Sequence, residues 1–248
     1  MTILVACEES QAVTKELRRL GHEAYSCDII ECSGGHPEWH IMQDALKIIN
    51  PEWYDGRFGI TPSISFYTMN GDYHQFDGKW DMIIAFPPCT YLSNAGACRL
   101  YPRKGHLDMD RYKKGLEAKE FFLKFLNADC SRIAVENPVS SSVFQMPKHT
   151  QEIQPYQFND DGTHPYTKKT RLWLKGLSPL IPTTPDCKPV GPYVPAGTGR
   201  KNREKYGAAK RGEDAKNRAK TFSGIARAMA EQWAGPVEEA LKGGESDA

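Results

Sequence analysis

The sequence predicts an α/β fold on a mostly parallel central sheet, and two strand–helix–strand passages carry that prediction. The first runs from Thr2–Ala6 through a helix marked by Val13, Leu17 and Leu20 into His22–Asp28. The second runs from Met82–Phe86 through a helix over Asp110–Asn127 into the apolar run that begins at Ile133. Apolar runs of about five residues have the length of buried strands. A helix between two of them makes the right-handed crossover that joins parallel strands.

Each element has a local reason. Gly21 stands where a left-handed cap ends the first helix. In the second helix Tyr112, Leu116, Phe122 and Phe125–Leu126 recur at roughly helical steps, as on one buried face. Pro87 and Pro88 end the strand before them, because proline has no N–H for a ladder. Cys89 is thereby displayed on a stiff turn at the C-terminal edge of the sheet, where open α/β sheets hold their ligands. Glu136-Asn137-Pro138 closes the next strand 47 residues later. Parallel neighbours end on the same edge, so a carboxyl is brought toward a thiol. Thr221–Trp233 reads as a last helix, with Ile225, Met229 and Trp233 at four-residue steps. Pro51–Lys79 is rich in aromatics and is expected to be an irregular insertion, either a lid or a packed flap.

Composition bounds the function. With 248 residues, 40% of them hydrophobic, the chain can bury one good core. Mean hydropathy is −0.58, and no apolar run approaches the roughly 18 residues of a membrane helix. Seven cysteines without paired spacing and no signal pattern suit a reducing, cytoplasmic setting. Cys27, Cys32, His36 and His40 match no common zinc module, so no metal is expected. Net charge is +1, but residues 200–220 hold nine Lys/Arg against three acids. This basic stretch follows a Pro-rich arm at 177–199, which makes Arg200, Lys201 and Arg203 candidate contacts to nucleic-acid phosphates. Residues 242–248 are expected to be disordered, and no membrane or obligate protein partner is called for. An acid about 20 residues after a first βα turn is a ribose-binding position, which singles out Asp28.

These residues resemble a family. Phe86-Pro87-Pro88-Cys89-Thr90-Tyr91-Leu92-Ser93 is similar to the Pro-Cys motif of the cytosine-C5 DNA methyltransferases, Glu136-Asn137-Pro138 to their Glu-Asn-Val motif, and Thr167-Lys168-Lys169-Thr170-Arg171-Leu172-Trp173-Leu174 to their later basic motif. The order along the chain is the family's. The likeness is greatest to small phage and prophage members and covers roughly residues 2–235. It implies a Rossmann-like S-adenosylmethionine-dependent methyltransferase fold with a small, irregular DNA-contacting segment. Residues 1–176 would be the catalytic core, 177–220 a reduced target-recognition segment and 221–241 a helix returning to the core. Cys89 would add to a flipped cytosine, Glu136 would bind N3 and the exocyclic amine, and Arg171 would serve O2. Glu8, Asp28, Asp44 and Pro87 would face the cofactor, while Ser93 and Lys169 would face DNA. One departure stands out: Cys7-Glu8-Glu9-Ser10-Gln11-Ala12 holds no glycine where the family has a Gly-rich loop. Two other classes stay open, an exocyclic-amine methyltransferase and a non-catalytic nucleic-acid-binding protein.

Overall fold

The computed structural model describes residues 1–56, 59–97, 99–103, 105–193 and 221–237. The strands are β1 (Thr2–Ala6), β2 (Glu23–Asp28), β3 (His40–Met42), β4 (Glu52–Gly56), β5 (Gly59–Tyr67), β6 (Tyr73–Asp77), β7 (Met82–Ala85), β8 (Ile133–Pro138), β9 (Gln151–Ile153), β10 (Tyr166–Thr167), β11 (Thr170–Lys175) and β12 (Gly191–Pro192). The helices are α1 (Ala12–Arg19), α2 (Asn94–Ala97), α3 (Met109–Leu126) and α4 (Ser223–Trp233). Seven strands form the central sheet in the order β3-β2-β1-β7-β8-β11-β9. The first five are parallel, and β11 runs antiparallel to β8 on one side and β9 on the other. The mostly parallel α/β sheet is therefore present, with both predicted crossovers in it.

Both faces of the sheet are covered, which is why its strands read as continuous apolar runs. Side chains alternate along each strand. Ile3, Val5, Met82, Ile84, Ala134 and Leu172 pack in one cluster with Val13 and Leu17 of α1 and Ile225 and Met229 of α4. Leu4, Ile83, Ile133, Val135 and Trp173 pack in the other with Phe122 and Phe125 of α3. Helix α1 ends as Gly21 predicts: Gly21 takes φ 86°, and the N–H groups of Gly21 and His22 reach back to the Arg18 and Leu17 carbonyls at 3.0 and 3.1 Å. Helix α3 starts on Asp108, whose carboxylate accepts from the Arg111 N–H. Gly115 is needed inside α3 because a Cβ there would collide with the Phe144 ring.

The described residues of 51–79 are not the irregular insertion expected from their aromatics. They form a three-stranded antiparallel sheet, β4-β5-β6. Period-two alternation explains it. Ile64 and Phe66 turn inward, where Phe66 stacks near Trp80 at 5.8 Å and meets Tyr25 at 4.9 Å. Tyr67, Tyr73 and Gln75 stay outward, and Gly71 at φ 94° makes the turn between β5 and β6. Residues 177–193 are largely irregular as expected, with β12 pairing only to the two-residue β10. The candidate DNA contacts Arg200, Lys201 and Arg203, the basic stretch 200–220 and the tail 242–248 lie outside the described residues. No helix among the described residues is long and apolar enough to cross a membrane.

Candidate active site

The chemistry-bearing motifs meet at the C-terminal edge of β7 and β8. Ala85 pairs with Val135, so Phe86 and Glu136 are the next residues on the two strands. The Phe86 N–H still reaches the Ala6 carbonyl at 2.9 Å, and at Pro87 the ladder stops for want of a donor. Pro87 is buried, and its carbonyl accepts from Asn137 Nδ2 at 3.5 Å. Half-buried Cys89 opens a tight turn in which its carbonyl accepts from the Leu92 and Ser93 N–H groups at 3.2 and 2.9 Å. That turn is stitched to the loop after β8: Asn94 donates to the Val139 carbonyl at 2.9 Å and Ser141 to the Leu92 carbonyl at 2.8 Å. Arg111 of α3 braces the far side, donating from Nη2 to the Gly96 carbonyl at 3.0 Å and to the Thr90 carbonyl at 3.4 Å. Ser93 is nearly buried, and its hydroxyl accepts from the Gly96 N–H at 3.2 Å. It is a brace of this loop, whereas the motif reading aimed it at DNA.

Glu136 faces the α1 and α4 side of the sheet. It lines a cavity with Phe86, Lys168, Thr170, Thr221, Phe222, Ile225 and Met229. Burial raises the pKa of this carboxyl, and the charge of Lys168 opposes the rise. The cavity is about 20 Å³, room for about one water.

The basic motif divides between the two faces. Cross-strand partners in an antiparallel pair share a face; Leu172 is opposite Glu136, while Arg171 is opposite Asn137 and Glu152. Arg171 Nε lies 3.5 Å from the Glu152 carboxylate, which Lys169 also meets at 2.9 Å. Lys169 and Arg171 thus converge on Glu152 of β9. Lys168, two positions before Thr170, is the cation that shares Glu136's cavity. The expectation that Arg171 completes a pocket with Glu136 is corrected here. The alternation of extended backbone sends Arg171 to the other face.

The β1–β3 half of the edge holds the cofactor candidates. The glycine-free loop after β1 takes left-handed backbone without glycine, at Cys7 (φ 58°) and Gln11 (φ 56°). Glu8 is buried, and its carboxylate accepts from the Val13 N–H at 2.6 Å, the Thr14 N–H at 3.3 Å and the Thr14 hydroxyl at 2.7 Å. It satisfies the first turn of α1, so pairing with a cofactor amine is corrected to a structural role. Burial nonetheless pushes its pKa up to about 7 against those three bonds. Asp28 ends β2 half-buried, its pKa raised by desolvation. Exposed Ile29, Ile30 and Met42 stand at the ends of β2 and β3. Asp44 is exposed and caps the short helical turn after it by accepting from the Leu46 N–H at 3.0 Å. Asp28 and Asp44 approach the same thiol: burial raises the Cys7 pKa first, and both carboxylates push it further.

The histidines considered as zinc ligands have other work. His40 uses both ring nitrogens, with Ser26 Oγ at 2.9 Å and the Ile30 carbonyl at 2.9 Å. His36 stacks on Trp39 at 3.7 Å and contacts Glu38 at 2.9 Å. No metal-capable cluster of three or more such groups occurs among the described residues. A larger concavity of about 580 Å³ opens among Lys15, Arg18, His22, His36 and Trp39, and none of the motif residues lines it.

Sequence reasoning did not single out three residues that shape the site: Lys168, Asn137 and Arg111. The period-two signal in Lys168-Lys169-Thr170-Arg171 was available for the first of these, but only the register fixes which half faces Glu136. Neither protein-family models nor curated proteins match the chain.

Proposed function

We propose that the chain is an S-adenosylmethionine-dependent methyltransferase acting on carbon 5 of cytosine in DNA. The observation that carries this reading is the pairing of a Pro-Pro-Cys turn with a half-buried glutamate at one edge of adjacent parallel strands, their loops tied together by backbone hydrogen bonds. The sheet supports it by analogy. Counted along the chain, the seventh strand of this sheet, β11, is reversed and set between β8 and β9, as in the methyltransferase fold that the motifs resemble; fold alone does not decide activity.

Carbon 5 of cytosine becomes nucleophilic only after addition at carbon 6, for which a thiolate is well suited. The Cys89 thiol gives its proton to solvent and its sulfur bonds to carbon 6. The electron pair of the C5–C6 double bond moves toward N3, where Glu136 supplies a proton. Burial favours that proton's retention on Glu136 until the base arrives. Carbon 5 then takes the methyl group, carbon 5 gives its proton to water, Cys89 leaves as thiolate and the N3 proton returns to Glu136. S-adenosylmethionine, when bound, supplies the methyl group as a sulfonium. The β1–β3 edge would hold the nucleoside half of this cofactor: Asp28 suits ribose hydroxyls, and exposed Ile29, Ile30 and Met42 offer apolar surface for a ring. Glu8 is not its amine partner.

The cavity beside Glu136 is too small for a base as it stands. Base entry therefore requires Lys168 and the first turn of α4 to give way, an induced opening of the kind that base-flipping enzymes use.

Incubation with methyl-labelled S-adenosylmethionine and DNA, followed by nucleoside mass spectrometry, tests the reading. Label in 5-methylcytosine is the expected result. Label in N6-methyladenine or N4-methylcytosine would favour the exocyclic-amine class, and DNA binding with no label in any base would favour a non-catalytic binder.

A further inference from the structure

Lys168 sits in the two-residue connection between β10 and β11. Four observations bear on it. It lines the cavity with Glu136, and its ammonium lies over the Phe222 ring, 5.2 Å from the centroid. Every other described residue of that lining, Phe86 from the end of β7, Thr170 from β11, Thr221, Phe222, Ile225 and Met229 from α4 and the residues before it, is uncharged. The two other cations of the motif, Lys169 and Arg171, are engaged by Glu152.

We propose that Lys168 is a catalytic residue of this site: it stands beside Glu136 in the closed pocket and moves to the pyrimidine O2 when a base enters. The proposal rests on the C5 methyltransferase reading and deepens it, because it gives Lys168 the role that motif order assigned to Arg171. No bond is made or broken by Lys168. Its charge offsets the negative charge that gathers on N3 and O2 as the Cys89 sulfur adds, and such preorganised charge counts most where water is excluded. A lysine suits a displaceable role, since its ammonium is a compact charge on a flexible stem with no planar fork to hold it in one geometry. Its departure from Glu136 also removes the charge that opposes protonation there. The carboxyl therefore gains a reason to hold its proton at the moment N3 requires one.

The test uses the full chain, S-adenosylmethionine and duplex DNA carrying 5-fluorocytosine, which stalls the reaction as a covalent adduct. Trapping rates are compared for the wild type, Lys168→Met, Lys168→Arg and Arg171→Met, with thermal unfolding recorded for each. Lys168→Met should slow trapping about 100-fold, Lys168→Arg should recover part of the loss, and Arg171→Met should stay within about threefold of wild type. A second readout needs no activity: titration of a labelled Glu136 carboxyl by NMR should move upward in Lys168→Met and stay put in Arg171→Met. Trapping by Lys168→Met at the wild-type rate, or an equal loss in Arg171→Met, overturns the proposal while leaving the methyltransferase reading intact. A wild type that forms no adduct overturns that reading, and this proposal with it. Should Lys168→Met fail to fold, Lys168→Gln and the titration decide.

Discussion

Glu8 and Glu136 are the same residue type at the same edge of the same sheet, desolvation raises the pKa of both, and they are used in opposite ways. Glu8 ends its strand region by taking three hydrogen bonds from the start of α1. Glu136 lies in β8 two residues before its end and faces a cavity, with desolvation and one lysine as the influences on its proton. The β1–β3 half of the edge thus uses polar groups to hold unusual backbone in place. In the β7–β8–β11 half, other groups do the holding: Asn137 on Pro87, Arg111 on Thr90 and Gly96, Ser141 on Leu92. The lesson is that burial and a raised pKa do not by themselves mark a catalytic acid. What separates the two is whether the carboxyl's lone pairs are already occupied.

Substitutions on both sides can break this contrast. Cys89→Ser has the largest expected effect, loss of methyl transfer by about 1,000-fold or more with unchanged thermal stability, read by the labelled-methyl assay. Glu136→Gln should follow, with turnover down about 100- to 10,000-fold and folding intact. Glu8→Ala should do the reverse, costing about 1–2 kcal/mol of stability as a lost helix cap while the folded fraction keeps its turnover, measurable by urea denaturation and assay at low temperature. Equal catalytic losses in the two glutamate variants would erase the distinction.

The pH dependence sharpens it. Glu8 ionises near 4.5 in the unfolded chain and near 7 when folded. Between those values the folded state holds a proton that the unfolded state has lost, so its contribution to stability is largest below about 4.5, falls as pH rises and levels off above about 7. Urea midpoints across that window should fall more steeply for wild type than for Glu8→Gln; parallel curves would contradict the assignment. The smallest effect is expected at Cys7, where glycine would relieve left-handed backbone but remove a packed side chain. Cys7→Gly should change stability by less than about 1 kcal/mol.

Much of this was legible from residues. Strand β1 follows the apolar run Thr2–Ala6, α3 begins one residue before the expected start at Asp110, and Gly21 marks the end of α1. The edge that gathers Cys89 and Glu136 follows from the strand–helix–strand pattern that makes β7 and β8 parallel neighbours. The β4–β6 sheet was missed because its aromatics drew attention from the alternation of Ile64, Phe66 and Thr68. Glu8's role was hidden because the resemblance aims it at the cofactor, whereas its carboxylate is taken up by the N–H groups of Val13 and Thr14 and the Thr14 hydroxyl. Arg171 was misjudged because the face of a residue on β11 depends on register with β8, and a shift of one residue exchanges the faces.

The most direct test of the central claim is peptide mapping of the chain after reaction with 5-fluorocytosine DNA and S-adenosylmethionine. The account predicts one modified peptide, carrying the base on the Cys89 sulfur, and none from the Cys89→Ser protein. A nucleobase adduct on any other residue, or none on a chain that methylates DNA, would contradict it.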